Sequence, residues 1–295
     1  MRLSPLTPDF GYEVHDLDLG SSISNADADA LQAAFAKGHM LLLRNQQALS
    51  DAGHADFASL FGPVTEEYLD GSKVAWVTNR PNTKTTVPGE AGLHWHSDYS
   101  FTEWPLRGIS LQAMELSGKS AATRFASTAR AWAALPQALQ AELEPLEVLH
   151  LADFSGASAE LGVPTDRFDD EPDQELYPHK WHPLKMPHPR TGEPLLFANE
   201  FLSIRLGGVP REKSRALLQA IWPILYDPAH VYEHDWREGD LLIWDNFALQ
   251  HGRDDFTPEP GEPSPVRVLR RVSLGADYER MVQSVPRLAG ALAAM

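Results

Sequence analysis

The feature that most constrains the fold is a succession of short β-type segments separated by turn residues. After an early apolar segment, HMLLLRN, they lie near 73–78, 94–101, 108–115, 122–126, 146–151, 194–199, 230–236, 240–245 and 266–274. These segments do not alternate regularly with helices, and the chain has no glycine-rich phosphate loop. The pattern therefore predicts a mainly β fold with flanking helices, either a sandwich or a jelly roll.

Four segments carry helix signals. They lie at 24–37, 50–61, 127–143 and 211–225, and the last is expected to break at Pro223 because proline lacks the backbone donor that a helix interior needs. The 153–180 stretch is rich in acids, Gly and Pro and too long for a tight connection, so we expect either a moving lid or a plain solvated loop. Residues 1–295 are expected to form one domain that contains this insert.

Composition excludes several classes of function. The chain has 41 acidic and 25 basic side chains, so a net charge of −16 repels nucleic acid and anionic membranes. It has no cysteine, which removes disulfides, thiolate metal sites and cysteine nucleophiles. No apolar run approaches a membrane span, and the first residues lack a signal-peptide pattern. We expect a cytoplasmic protein with a small-molecule substrate, no nucleic-acid or membrane partner, and an oligomeric state, monomer or homo-oligomer, that stays open.

The segment HWHSDYSF, residues 94–101, is the first candidate metal site. On a strand, His94, His96 and Asp98 share a face, so direction alone does not choose between the two histidines. A site that needs one carboxylate and two imidazoles on one side of a metal is best served by a His-x-Asp pair with a distant second histidine. His96 and Asp98 form that pair, and His251 in LLIWDNFALQHGR, after an apolar strand, is the candidate for the second histidine.

The segment RVLRR supplies arginines to another predicted strand. Arg267 and Arg271 share one face, and Arg270 takes the other. An arginine that points inward in so acidic a protein is expected to bind a carboxylate.

These motifs together resemble the taurine dioxygenase family, the TauD/TfdA group of Fe(II)- and 2-oxoglutarate-dependent oxygenases. WHSDYSF is similar to that family's WH-[ST]-D-x-x-F motif, WDNFALQHGR to WDNR-x-x-x-H, and RVLRRVSL to the terminal R-x-x-x-R-[AV]-[ST] strand. SAATRFAST resembles the GGDT-x-F-A-[DS] segment, and LLLRNQQALS and FGPV also have counterparts. Phe247, KSAAT and the proline-rich TPEPGEPSP depart from the family pattern.

The resemblance implies a double-stranded β-helix that uses Fe(II), 2-oxoglutarate and O2. It implies iron ligands at His96, Asp98 and His251, and it implies that Arg271, helped by Thr123, binds the distal carboxylate of 2-oxoglutarate. The role of Arg267 stays open between binding a carboxylate and stiffening the site. The reaction implied is hydroxylation of a C–H bond in a small molecule, expected to be carboxylated or amino-acid-like, with release of succinate and CO2; desaturation or another oxidative rearrangement is the alternative within the class.

Candidates for the substrate wall are Tyr68, His94, Tyr99 and Phe101, although core packing would explain the aromatic ones equally well. Two other classes of protein stay open from the residues alone. One is a zinc hydrolase with the same three ligands, and the other is a non-catalytic jelly-roll binding module. Because both histidines must be neutral to bind metal, we expect metal affinity to fall as the pH drops toward ~6.5.

Overall fold

A computed structural model describes residues 1–68, 70–81, 83, 90, 92–118, 120–152, 177–258 and 260–275. The α-helices in these ranges are α1 (Asn25–Gly38), α2 (Asp51–Ser59), α3 (Thr128–Ala134), α4 (Gln137–Leu143) and α5 (Arg211–Leu225). The strands are β1 (Arg2–Pro5), β2 (Tyr12–His15), β3 (Met40–Leu43), β4 (Ala75–Thr78), β5 (Leu93–His96), β6 (Gly108–Ser117), β7 (Thr123–Ser127), β8 (Glu147–Leu151), β9 (His179–Pro183), β10 (Lys185–Pro187), β11 (Pro194–Leu196), β12 (Ser203–Leu206), β13 (Tyr232–His234), β14 (Leu241–Asp245), β15 (Leu249–Arg253) and β16 (Val266–Leu274).

Two sheets form the body of the fold. The larger has the strand order β1-β2-β3-β14-β6-β16-β4, and the smaller has the order β13-β7-β15-β5. The side chains that fill the space between them alternate along the strands, as in Leu242 and Trp244 of β14, Ile109 and Leu111 of β6, and Phe125 of β7. This arrangement confirms the predicted mainly β jelly roll.

Helices α1 and α2 cover the outer face of the larger sheet. Leu31 and Phe35 of α1 pack on Leu41 and Leu43 of β3, which are fully buried. Helix α1 begins where predicted, because the Ser24 side chain accepts a hydrogen bond from the Asp27 amide. Helix α5 is amphipathic and buries its apolar side against β12 and α3. The helices therefore support the sheets from outside and leave the space between the sheets to the site.

The predicted helix at 127–143 is wrong in its continuity. It is divided into α3 and α4 because Pro136 cannot donate a backbone hydrogen bond and Leu135 adopts an extended conformation with ψ 137°. The predicted break at Pro223 is also wrong, since α5 continues to Leu225 with this proline inside it. The strand predicted at 94–101 ends at His96, and a turn carries the next residues.

Several strands were not predicted, namely β1, β2, β9, β10, β12 and β15. Most are short segments whose pairing partners, rather than their own apolar pattern, make them strands. The predicted lid or loop at 153–180 lies outside the described residues as far as 176, and its last residues lead into β9. Within the described residues, none of the helices has the length and apolar character needed to cross a membrane.

Candidate metal centre

Two histidines face each other across neighbouring strands of the smaller sheet. His251 of β15 pairs directly with His96 of β5, and their ring centroids lie 4.2 Å apart. Directly opposed residues on antiparallel strands bring their side chains into contact, so the strand register alone assembles this pair. His251 was expected after the apolar strand β14, and it lies one turn later, inside β15.

Asp98 reaches the same place from the turn that follows β5. Asn246, in the turn between β14 and β15, accepts a hydrogen bond from the Asp98 amide at 2.9 Å. Its side-chain amide donates to the carbonyl oxygens of Asp98 at 3.0 Å and Leu106 at 2.9 Å. The WDN segment therefore fixes the backbone that carries the carboxylate.

The three side chains form a compact donor cluster. Asp98 Oδ1 lies 3.2 Å from His96 Nε2 and 3.9 Å from His251 Nε2. One ligand atom from each residue lies within 4.8 Å of the other two. Each side chain keeps 12–14% of its surface exposed, so the cluster is enclosed and still reachable. Two imidazole nitrogens and a carboxylate on one side match the donor set of non-haem Fe(II) sites.

The hydrogen bonding of His96 and the burial of His251 suit metal binding. His96 Nδ1 lies 2.7 Å from the His94 carbonyl oxygen, to which it can only donate, so Nε2 is the ring nitrogen that faces the other donors. Burial lowers the pKa of His251 to about 3, which keeps that imidazole neutral at physiological pH. Desolvation therefore keeps the metal-free ring of His251 neutral at pH 6.5, and the expected fall in metal affinity toward that pH stays a prediction.

The second oxygen of Asp98 is held by Arg271. Arg271 Nη2 lies 2.9 Å from Asp98 Oδ2, and its Nε lies 3.3 Å from Glu67 Oε1. Burial alone would raise the pKa of Asp98, but Arg271 and then the two histidines hold it well below its usual range. Burial likewise works against the charge of Arg271, yet Glu67 and Asp98 raise its pKa above the ordinary value. Arg271 is therefore an ion-paired cation shared by two carboxylates.

Arg267 stands in a different environment on the same face of β16. Its Nη2 donates to Thr123 Oγ1 at 3.2 Å, and its guanidinium carbon lies 5.9 Å from the centre of the Trp236 ring. Among the described residues it has no carboxylate partner, and its Nε is buried without a hydrogen bond. Burial, with a smaller effect of Arg253, lowers its pKa to about 9. Arg267, Arg271, Arg253 and Thr123 line the cavity that also contains the donor cluster.

Comparison with known proteins decides the family. Residues 2–273 match the model of the family described as "Taurine catabolism dioxygenase TauD, TfdA family". The chain belongs to this family. It is therefore a 2-oxoglutarate-dependent dioxygenase whose cofactors are Fe(II), 2-oxoglutarate and O2, and the expectations of a zinc hydrolase or a non-catalytic module are wrong.

TauD/TfdA relatives and neighbours match along most of the chain. An alpha-ketoglutarate-dependent sulfate ester dioxygenase of Pseudomonas putida is 26% identical over 285 residues, covering 94% of this chain and 90% of the relative. An alpha-ketoglutarate-dependent 2,4-dichlorophenoxyacetate dioxygenase of Cupriavidus pinatubonensis is 28% identical over 265 residues, covering 84% and 90%. A crystal structure of a taurine dioxygenase from Burkholderia xenovorans superposes with a TM-score of 0.73 at 23% identity, covering 94% and 91%, and supports the fold.

One contact differs from what the resemblance to the TauD/TfdA family implies, namely the arginine that lies beside Thr123. Thr123 was expected beside Arg271, and its hydroxyl contacts Arg267 instead. The reason is that Arg271 is turned toward the carboxylates of Asp98 and Glu67. Sequence reasoning could not anticipate this, because the contribution of Glu67 comes from a loop distant in sequence from both β5 and β16.

The predicted substrate-wall residues lie at different distances from the centre. The His94 ring stacks on Phe201 at 6.2 Å, and Phe201 also meets the edge of His96 at 6.1 Å. Tyr99, in the left-handed region with φ 58°, packs against Phe101 at 5.8 Å and is close enough to interact electrostatically with Arg271. Tyr68 is buried and is not among the residues that line the cavity of the donor cluster.

Three residues beside the centre were not predicted: Glu67, Phe201 and Arg253. A buried acid next to a tyrosine and an aromatic after FANE carry no recognisable pattern by themselves. Arg253 was within reach of sequence reasoning, because it follows His251 by two residues and must share its face of β15.

A second cluster, His39, His188 and Asp245, also brings possible metal donors together. His188 Nδ1 accepts hydrogen bonds from the amides of Arg190 and Thr191, so its Nε2 donates to Asp245 Oδ2 at 3.0 Å. Arg190 bonds the same oxygen at 2.6 Å, and Asp245 Oδ1 accepts from two backbone amides. Protein groups therefore already occupy the donors and acceptors of His188 and Asp245, while His39 contacts Glu193 through Nε2 at 3.3 Å and its Nδ1 has no hydrogen bond among the described residues.

Proposed function

We propose that the protein oxidises, by hydroxylation, a C–H bond of a small organic molecule, with Fe(II) bound by His96, Asp98 and His251. The proposal is carried by one observation: the cavity that contains this donor cluster is also lined by Arg267, a buried arginine with no carboxylate partner among the described residues. Fe(II) and 2-oxoglutarate, when bound, activate O2 with release of succinate and CO2 and oxidation of the substrate. The side chains of the protein bind and orient the metal and the cosubstrate, as described below.

We assign the distal carboxylate of 2-oxoglutarate to Arg267 and Thr123 rather than to Arg271. Arg267 is a buried cation without a protein carboxylate in the described residues, whereas Arg271 already contacts two. Thr123 is two residues from Phe125, which pairs directly with His251 across the strands. Two residues along a strand span about 7 Å, which suits a five-carbon diacid that reaches from the metal to Arg267. Burial strengthens such a charge-assisted contact.

Contacts at both carboxylate oxygens of Asp98 fix the direction from which it would bind the metal. Arg271 holds Oδ2, so Oδ1 faces the two imidazoles. His96 is oriented in the same way by the carbonyl of His94. Phe201 and the enclosed walls limit water around the centre, which protects a reactive site from side reactions.

The substrate is proposed to be a small molecule, because the related enzymes named above act on small sulfate esters and phenoxyacetates. The expectation of a carboxylated or amino-acid-like substrate stays a prediction. Desaturation or another oxidative rearrangement remains the alternative outcome within the same class, since the same ligands would serve it.

Anaerobic addition of Fe(II) and 2-oxoglutarate tests the proposal. We expect a weak visible charge-transfer absorption in the protein and its loss in Asp98→Ala. Absence of the band in the native protein, with Fe(II) shown to be bound, would refute the assigned chelation. Screening succinate formation against a panel of small acids, amines and amino acids then identifies the substrate.

A further inference from the structure

Glu67 is a buried carboxylate beside Arg271, close to the candidate metal centre. It is 5% exposed, and its Oε1 lies 3.3 Å from Arg271 Nε. Arg271 Nε donates its hydrogen bond to Ser273 Oγ at 2.9 Å, so its contact with Glu67 Oε1 is an ion pair and not a second hydrogen bond. Burying a carboxylate is costly unless a cation compensates it, and Arg271 is the cation that compensates Glu67.

The loop that carries Glu67 is fixed against β16. Thr65 donates its amide hydrogen to the Ser273 carbonyl at 3.0 Å, and Val64 forms a bridge with Leu274. The Glu67 amide donates to Ser72 at 2.7 Å, which closes the loop on itself. Glu67 therefore meets Arg271 through an anchored backbone rather than as a swinging surface side chain.

The two carboxylates beside Arg271 leave this arginine with little free charge for an anionic substrate. A metal bound at Asp98 would take up much of the charge of that carboxylate, which would leave Glu67 as the carboxylate that balances the guanidinium. Arg267 is separated from Arg271 by four residues and serves the cosubstrate in the function proposed above. An anion placed beside Arg271 would meet the Glu67 carboxylate as a like charge at short range.

We propose that Glu67 is a specificity-determining residue that neutralises Arg271, so that the substrate presents a protonated amine or a neutral hydrogen-bond donor, not an anion, to this end of the site. The proposal rests on the function proposed above, because it takes the site next to Asp98 as the substrate site. Glu67 Oε1 is ion-paired but accepts no hydrogen bond among the described residues, so it offers the acceptor that such a donor needs. Of the two expected substrate types, it favours the amino end of an amino-acid-like molecule over a carboxylate.

A matched pair of ligands tests this in the native protein. The protein is loaded with Mn(II) and N-oxalylglycine, and binding is measured by calorimetry for 2,4-dichlorophenoxyacetate and for 2-(2,4-dichlorophenoxy)ethylamine, which carries an ammonium in place of the carboxylate. We expect the amine to bind at least about tenfold more tightly, the effect of roughly one screened charge contact. Equal affinities, tighter binding of the acid, or binding of neither ligand would overturn the proposal.

The Glu67→Gln variant tests the residue itself. It keeps the shape of the side chain and frees the charge of Arg271, so we expect 2,4-dichlorophenoxyacetate to bind at least about tenfold more tightly than to the native protein. Glu66→Gln, at the adjacent exposed position, is the matched control and should behave as the native protein does. Unchanged anion affinity in a folded Glu67→Gln protein contradicts the proposal.

Binding of N-oxalylglycine distinguishes a failure of the proposed function from a failure of the role assigned to Glu67. If N-oxalylglycine does not bind to the Mn(II)-loaded protein, the cosubstrate site is wrong. If N-oxalylglycine binds normally and the charge preference is absent, only the role of Glu67 is wrong. Should Glu67→Gln not fold, the ligand pair in the native protein still decides the question.

Discussion

Arg271 Nη2 forms an ion pair with Asp98 Oδ2 at 2.9 Å, while Oδ1 of the same carboxylate faces His96 Nε2 at 3.2 Å. Arg271, on β16 of the larger sheet, thus orients the carboxylate of Asp98, which lies in the turn after β5 of the smaller sheet. Because the arginine is also paired with Glu67, the carboxylate is held before any metal arrives. Preorganised ligands of this kind lose little freedom on metal binding.

Replacing Asp98 by Ala should abolish metal binding and succinate formation while the fold is retained. The fold survives because Arg271 keeps Glu67 as its partner. Isothermal titration with Mn(II) and circular dichroism check the two parts. Asp29→Ala, on the exposed face of α1, is the control and should bind metal normally. Metal affinity within about twofold of the native value in Asp98→Ala would rule out a ligand role for Asp98.

Replacing Arg267 by Met should weaken N-oxalylglycine binding to the Mn(II)-loaded protein by roughly 30-fold, since removing one partner of a buried charge pair costs about 2 kcal/mol or more. Arg271→Met should weaken it far less, because that side chain is assigned to Asp98 and Glu67. Arg80→Met, at a half-exposed position, controls for loss of a positive charge. The opposite ranking of the two buried variants would return the cosubstrate to Arg271.

Asn246 should matter for both stability and metal affinity. Asn246→Ala removes three hydrogen bonds to the turn of Asp98 and to Leu106, which we expect to lower the free energy of unfolding by about 2–4 kcal/mol. Asn246→Asp keeps the acceptor for the Asp98 amide and loses the two donated bonds, so its effect should be intermediate in metal binding. Urea denaturation and Mn(II) titration measure both. Equal metal affinity in all three proteins would show that the turn does not depend on Asn246.

The metal-free protein should lose stability as the pH falls below 6.5. Burial lowers the pKa of His54, His150 and His251 to about 3 each. The unfolded chain binds protons at these histidines from about pH 6.5 downward, and the folded chain does not, so stability present above pH 6.5 is lost on acidification. Each histidine contributes up to about 1.4 kcal/mol per pH unit between 6.5 and 3. Urea denaturation at pH 7, 6 and 5 measures the slope; a flat free energy of unfolding would contradict the burial of these rings.

Strand periodicity predicts the two faces of β16: Arg267 and Arg271 lie on one, and Arg270 lies on the other with Asp51 and Gln112. The closeness of His96 and Asp98 was also expected, but Asp98 reaches the centre from the turn after β5 and not from the strand. The sequence does not predict which arginine meets Thr123, because that depends on a carboxylate contributed by the loop around Glu67. A single sequence shows no pairing between residues that lie 200 positions apart.

The same distinction holds for the fold. Capped helices such as α1 and apolar strands such as β3 and β14 carry their signals locally and were predicted. Strands such as β9 and β12 exist because each pairs with β8, and their own residues alternate weakly. The division of the helix at Pro136 was readable from the missing backbone donor, whereas the tolerance of α5 for Pro223 was not.

A crystal structure of the protein with Mn(II) and N-oxalylglycine tests the central claim most directly. We predict a metal bound by His96 Nε2, His251 Nε2 and one oxygen of Asp98, with the distal carboxylate of N-oxalylglycine on Arg267 and Thr123. A metal held elsewhere, or an N-oxalylglycine carboxylate bound away from Arg267, would contradict it.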